Sequence, residues 1–201
     1  MKEIKEGCYK GTRILLGDGK GELLSRMVEK LIHEDFQEIS IPIIQKQELF
    51  KNKVGEENNN LMYTFKDKGN RNLCLAPEYT AIIQNLAKTY FKYNKDLKLF
   101  YVQECFRGEK PQKGRYRQFT QLGVEILNPT GPKYVYLINL ARVLIGFSSI
   151  KNITLNQDVP RGLDYYKNGR GFEITSNDTQ ICGGGEYQGG IGFAIGIDRL
   201  I

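Results

Sequence analysis

From Gly21 onward, Leu23, Leu24, Met27, Val28, Leu31 and Ile32 recur at the spacing of one helical face, with Phe36 just beyond. That spacing predicts an amphipathic helix. In the next segment, EISIPIIQ, the period shortens: Ile39, Ile41 and Ile43 alternate, which predicts a strand that Pro42 confines to an edge, an interface or a bulge. GEENNN, Gly55 to Asn60, predicts an exposed loop, and PEYTAIIQNLAKTYF a helix with Pro77 and Glu78 in its first turn. Two strands follow, roughly 97–107 and 117–127, joined by a loop containing glycine and proline, so an antiparallel hairpin is the simplest arrangement. YVYLINLARVLIGF predicts a largely buried helix. Past Lys151 the chain becomes glycine-rich and strand-like through NITLNQ, GFEITS and GIGFAIGI.

Helices early and strands late, without strict alternation, predict an α+β fold with helices against a mainly antiparallel sheet. A chain of 201 residues that is 40% apolar suits one domain spanning 1–201. The formal charge of +6 favours an anionic partner such as a nucleotide or RNA. Cys8, Cys74, Cys105 and Cys182 are scattered singly and His33 stands alone, so neither a zinc site nor a disulfide framework is readable, and free thiols in a reducing cytosol are expected. No apolar run approaches the roughly 20 residues that span a bilayer, and the charged start MKEIKEGCYKGTR does not resemble a signal peptide. A cytoplasmic protein without membrane contact is the expectation.

The hairpin carries the densest chemistry. On its second strand Leu122, Val124 and Ile126 share one face, which is core, while Phe119, Gln121, Gly123 and Glu125 share the other. A carboxylate and an amide separated by glycine suit a pocket floor where a ligand approaches the backbone; an exposed sheet face would also accept them. The connecting loop holds Arg107, Lys110, Lys113, Arg115 and Arg117 against Glu109, a net +4 within eleven residues. Arginine's planar fork fits phosphate oxygens, and fixed positive charge stabilises phosphoryl transfer; a solvated basic tip is the plainer alternative. VPRGLDYY sets Arg161 and Asp164 beside two tyrosines, and ICGGGEYQGG surrounds Tyr187 with glycines that allow close backbone approach. GFAIGIDRL ends a glycine-rich strand in Asp198 and Arg199, where a helix could begin. GGG does not match a phosphate loop, which needs the lysine and hydroxyl of GxxxxGK[ST].

In this order the segments resemble the catalytic core of histidyl-tRNA synthetase, a class II aminoacyl-tRNA synthetase. FRGEKPQKGRYRQFTQLGVE resembles the second class motif, APEYT the amino-acid loop (usually RPEGT) and RGLDYY a histidine-specific signature. GGGEYQ is similar to the family's GGGRYD segment and GFAIGIDRL to the third class motif, while the helix from Gly21 and the strand around Pro42 resemble the first motif, which builds the family's dimer interface. The resemblance implies an antiparallel sheet of six or more strands binding ATP and histidine. It implies that Arg107 grips the α-phosphate and Arg199 the γ-phosphate, that Phe119 stacks on adenine, and that Glu109, Arg115 and Tyr116 complete the nucleotide site. Glu78, Thr80 and Gln121 would hold the substrate's amino group, Glu125 and Tyr166 the imidazole, and Tyr187 would line its pocket. Arg161 would neutralise the reacting carboxylate and phosphate. Arg107, Arg161 and Arg199 are thus the expected catalytic residues. Mg²⁺ would arrive with ATP rather than on protein ligands, and the expected partners are histidine, ATP, the acceptor end of tRNA(His) and a second copy of the chain.

The departures from the family pattern are local. Ala76 stands for the usual arginine and Tyr79 for glycine, Glu186 for arginine, Gln188 for aspartate, and Asp198 conservatively for glutamate. Only 36 positions separate Glu125 from Arg161, too few for the bacterial family's helical insertion, and the sequence shows no counterpart of the anticodon-binding domain. Histidine activation is therefore expected first and transfer to tRNA second. The alternative is a catalytically silent histidine sensor resembling the regulatory subunit of ATP phosphoribosyltransferase.

Overall fold

The computed structural model describes residues 2–3, 13–14, 16–51, 59–110, 114–161 and 166–201; Cys8, residues 55–58 of the GEENNN loop, Lys113, Asp164 and Tyr165 lie outside the described residues. The elements run β1 (Lys2–Glu3), β2 (Arg13–Ile14), α1 (Lys20–His33), β3 (Gln37–Glu38), β4 (Ile44–Lys46), β5 (Thr64–Lys66), β6 (Asn72–Leu75), α2 (Thr80–Lys88), β7 (Leu97–Phe106), β8 (Gln118–Leu127), α3 (Tyr134–Ile145), β9 (Ile153–Pro160), β10 (Arg170–Ser176), β11 (Thr179–Tyr187) and β12 (Gly190–Gly196). A 3-10 turn, Ile197–Arg199, follows β12.

Among the described residues the main sheet has seven strands in the order β3-β7-β8-β12-β11-β10-β9. Six of them pair antiparallel, as expected, and β3 adds a parallel edge along β7. A small sheet, β4-β6-β5, lies apart from it. Alternation decides the two faces. Leu122, Val124 and Ile126 of β8 and Ile191, Phe193 and Ile195 of β12 join Leu23, Met27 and Leu31 of α1 and Leu137, Leu140, Ala141 and Leu144 of α3 in one buried cluster. Each large aliphatic side chain so buried contributes about 1.5–3 kcal/mol, enough to fix which face meets the helices. The β7 end of the opposite face is covered by α2 and the small sheet, through Ala81, Ile83, Ile41, Phe50 and Cys74 packed against Leu99, Tyr101 and Leu127. That leaves the β8–β12–β11 stretch to form a site. Cys74, Cys105 and Cys182 are free and buried.

Two expectations are corrected. EISIPIIQ is not one strand: β3 ends at Glu38, the Ile39 N–H still reaches Phe100 O at 2.8 Å, and beyond Pro42 the chain joins the small sheet, where the Ala76 N–H donates to Ile43 O at 2.9 Å. The isoleucine alternation reflects a crossing between sheets, and proline sits where no ladder bond is asked of it. Pro77 and Glu78 precede α2 rather than forming its first turn. The Glu78 carboxylate instead accepts the Thr80 and Ala81 N–H groups at 2.8 and 3.0 Å, satisfying donors that a helix start leaves open. In ICGGGEYQGG, where the sequence predicts no element, β11 runs through the three glycines to Tyr187, and Gln188 with Gly189 (φ 90°) turns into β12. Glycine carries little strand propensity, so the sequence gives no local sign of it.

Candidate active site

Strand β8 lays out the site in cross-strand rows. Phe119 faces Cys105; Gln121 lies between Gln103 and Gly196; Gly123 between Tyr101 and Ala194; and Glu125 between Leu99 and Gly192. Beyond β12 the rows continue to Gly183, opposite Ala194, and Gly185, opposite Gly192. Over six residues, Phe119 to Glu125, the strand rises roughly 20 Å.

The glycines of this face are occupied space. A Cβ on Gly123 would overlap the Tyr101 ring, one on Gly192 the Glu125 carboxylate, and one on Gly183 the Arg161 guanidinium, while one on Gly185 would come 2.8 Å from Tyr166 Cδ1. Large polar side chains lie flat on a floor without side chains of its own.

At the inner end Glu125 is fully buried. The Tyr187 hydroxyl donates to its Oε2 at 2.7 Å and the Thr80 hydroxyl to its Oε1 at 3.5 Å. Burial, reinforced by the nearby Glu78 carboxylate, pushes its pKa up to about 8 although both hydroxyl bonds favour the anion. Tyr166 bridges to Tyr187 through the backbone, and burial raises its phenol. The Arg161 guanidinium lies 5.7 Å from the Tyr166 ring centre and 3.6 Å from Glu173. Gln121 accepts the Cys105 thiol at 3.3 Å. Thus Glu78, Thr80, Glu125, Arg161, Tyr166 and Tyr187 are gathered at one end, with Gln121 four residues from Glu125 along β8.

The outer end is cationic. Arg107 donates from Nε to Pro77 O at 2.9 Å and stands 5.2 Å from the Phe119 ring centre. Arg199, presented by the turn after β12, donates to the Gly114 carbonyl at 3.0 Å and to that of Gln180. Its pKa is lowered by burial and then by Arg107 and Arg115, with Tyr116 and Glu109 opposing. The five residues expected around the phosphates therefore share one electrostatic neighbourhood. Asp198 fixes this turn by accepting the Thr120 N–H at 2.5 Å.

Sequence reading missed Tyr101 and Glu173. Tyr101 lies in the largely apolar run LKLFYV, where Tyr101 itself reads as core; the signal was the glycine opposite it, Gly123. The departures fall outside the gathered residues. Ala76 and Tyr79 are buried, with Tyr79 against the Tyr101 ring (5.3 Å between centres) and its hydroxyl on Glu104 O at 3.1 Å. Glu186 pairs with Lys167 at 3.4 Å, and Glu186 and Gln188 border a cavity of about 660 Å³ beside Tyr166 and Tyr187. No helix among the described residues is long and apolar enough to cross a membrane.

Comparison with known proteins gives this geometry its relatives. The pattern of the family described as histidyl-tRNA synthetase matches residues 20–156. The histidine–tRNA ligase of Methanospirillum hungatei is 42% identical over 122 residues, 59% of this chain and 30% of that protein, so the chain spans about a third of the length of this relative. The solved apo histidyl-tRNA synthetase of S. aureus superimposes with a TM-score of 0.73 at 26% identity, over all of this chain and 69% of that one. A protein from Bacillus halodurans C, described as an ATP phosphoribosyltransferase regulatory subunit/histidyl-tRNA synthetase, shares the fold at a TM-score of 0.78 and 15% identity, over all of this chain and 83% of that one. The fold is that of a class II aminoacyl-tRNA synthetase, and the chain belongs to the histidyl-tRNA synthetase family.

Proposed function

We propose that this chain activates histidine with ATP to histidyl-adenylate and passes histidine to the 3′ end of tRNA(His). The observation that carries this reading is the layout of one strand. Arg107, Arg115 and Arg199 converge at its outer end, and the buried Glu125 with its two tyrosines lies at its inner end. Arg161 lies over the row between Gln121 and Glu125.

Glu125 and Tyr166 would hold the imidazole nitrogens, one accepting and one able to donate, while Tyr187 fixes Glu125 and closes the pocket. A ligand without those two nitrogens would leave buried groups unpaired, which is how such a pocket discriminates. Glu78, Thr80 and Gln121 would take the amino group. Phe119 would stack on adenine, Arg107 and Arg199 would hold the α- and γ-phosphates, and Glu109, Arg115 and Tyr116 would complete the nucleotide site. The histidine carboxylate then attacks the α-phosphorus in line, and the bond to pyrophosphate breaks. No protein nucleophile is needed; positioning and fixed charge supply the catalysis. Bound Mg²⁺ would offset triphosphate charge. A second copy of the chain would pack on the α1 and β4 region, where Ile32 and Ile44 are exposed.

Histidine-dependent exchange of labelled pyrophosphate into ATP tests the reading. Exchange is expected, abolished by Arg199→Ala. A folded chain that binds histidine indifferently to ATP and shows no exchange would instead be the silent sensor, a role for which three retained triphosphate and carboxylate ligands serve no purpose.

A further inference from the structure

At the end of α2 the chain reads KTYFKYNK, Lys88 to Lys95, with three lysines, two tyrosines and no carboxylate. Among the described residues, none of the three lysines forms an ion pair. Tyr90 and Tyr93 are 80% and 88% exposed, whereas Phe91 between them packs against the cluster under α2. The turn that displays them is tied down. The Phe91 N–H donates to Leu86 O at 2.8 Å and the Asn94 N–H to Phe91 O at 3.1 Å, and the Asn128 side-chain amide donates to Phe91 O and Asn94 O at 2.9 and 2.8 Å. Tyr90 stands nearly at right angles to Phe91, 5.1 Å between ring centres, and Lys92 Nζ lies 5.5 Å from the Tyr93 ring centre. Two open rings with cations beside them are thus held on a backbone that a partner need not order. Asn128 directly follows β8, so the turn lies past the Glu125 end, roughly 30 Å along the strand from Phe119 and the phosphate-binding arginines.

We infer that this turn is a second contact for RNA, made with unpaired nucleotides: bases stack on Tyr90 and Tyr93, and phosphates lie on Lys88, Lys92 and Lys95. A protein partner would ask for a continuous apolar patch, which the lysines interrupt; a polyanion with flat apolar faces matches both the charge and the rings. Stacking on a side chain requires bases freed from a duplex and tolerates any sequence, while the lysines supply the salt-dependent part of the affinity. The choice of RNA rests on the transfer to tRNA proposed above; the contact itself is remote from the reacting groups.

Fluorescence anisotropy with a labelled single-stranded oligoribonucleotide of about twelve nucleotides, and with an RNA duplex of the same length, tests the assignment. The unaltered chain should prefer the single strand. Tyr90→Ala with Tyr93→Ala should weaken that binding at least about tenfold, and Tyr90→Phe with Tyr93→Phe should keep it within about twofold. Replacing the three lysines by alanine should flatten the slope of log affinity against log salt by about two. All three variants should retain histidine-dependent pyrophosphate exchange. Affinity indifferent to removal of both rings, equal loss in the phenylalanine variant, or no preference for the single strand would overturn the contact. So would altered sedimentation of the alanine variant with unaltered RNA affinity, which would make the turn an interface between copies. An unaltered chain that exchanges pyrophosphate but binds no single strand would overturn this contact alone; one that binds the strand through the tyrosines without exchange would overturn the histidine reading alone.

Discussion

A carboxylate lying on a glycine floor is costly when charged, and Glu125 carries that cost. Its pKa rises from 4.5 to about 8, so between those values the folded chain holds a proton that the unfolded chain releases. The sign follows: the stability associated with this proton is complete below about pH 4.5, declines by roughly 1.4 kcal/mol per pH unit as pH rises, and is lost above about pH 8. Thermal melts of the ligand-free chain at pH 5, 6.5 and 8 should show falling melting temperatures, and Glu125→Gln should flatten the trend. An unchanged slope in that variant would place the titrating group elsewhere. Bound histidine would reverse part of the effect, because a donor facing the carboxylate favours its charged form.

At the start of helix α2, one group would serve fold and ligand together. Glu78 accepts two N–H groups at its start, and a carboxylate there also suits the positive end of the helix. Glu78→Ala should cost about 0.5–2 kcal/mol in denaturant unfolding and raise the KM for histidine; Glu78→Gln, which keeps an acceptor, should recover part of the stability. The hairpin of β7 and β8 was legible because strict alternation assigns each residue a face, so Phe119, Gln121, Gly123 and Glu125 could be placed together before any coordinates. Strand β11 was not, since three glycines carry neither hydrophobic period nor β-branched residues. Their requirement appears only when Arg161 and Tyr166, distant in sequence, lie on them. The passage from β3 to β4 misled for the converse reason: Ile39, Ile41 and Ile43 alternate as a strand does, but the backbone between them is changing sheets. Tyr101 is hidden in an apolar run, and only register reveals what it faces.

Taken whole, the molecule packs α1 and α3 on one face of the sheet and the candidate site, flanked by α2, on the other. The two reactants would meet along β8 rather than across a cleft between domains. Ile32 on α1 and Ile44 on β4 are about half exposed, at 59% and 54%, within the segments resembling the family's dimer motif. Sedimentation at micromolar concentration should report a dimer, and Ile32→Glu should shift it toward monomer with the fold retained by circular dichroism; a monomeric parent chain would refute this assembly. The glycine floor sets a further limit. With Gly123, Gly183, Gly185 and Gly192 committed to the rings and charges above them, enlarging any of them displaces Tyr101, Arg161, Tyr166 or Glu125 instead of adding a new contact. A changed ligand preference is therefore accessible only through the walls, at Glu78, Thr80, Arg161 and Tyr166. A library aimed at other amino acids would be built there, with the sheet left untouched.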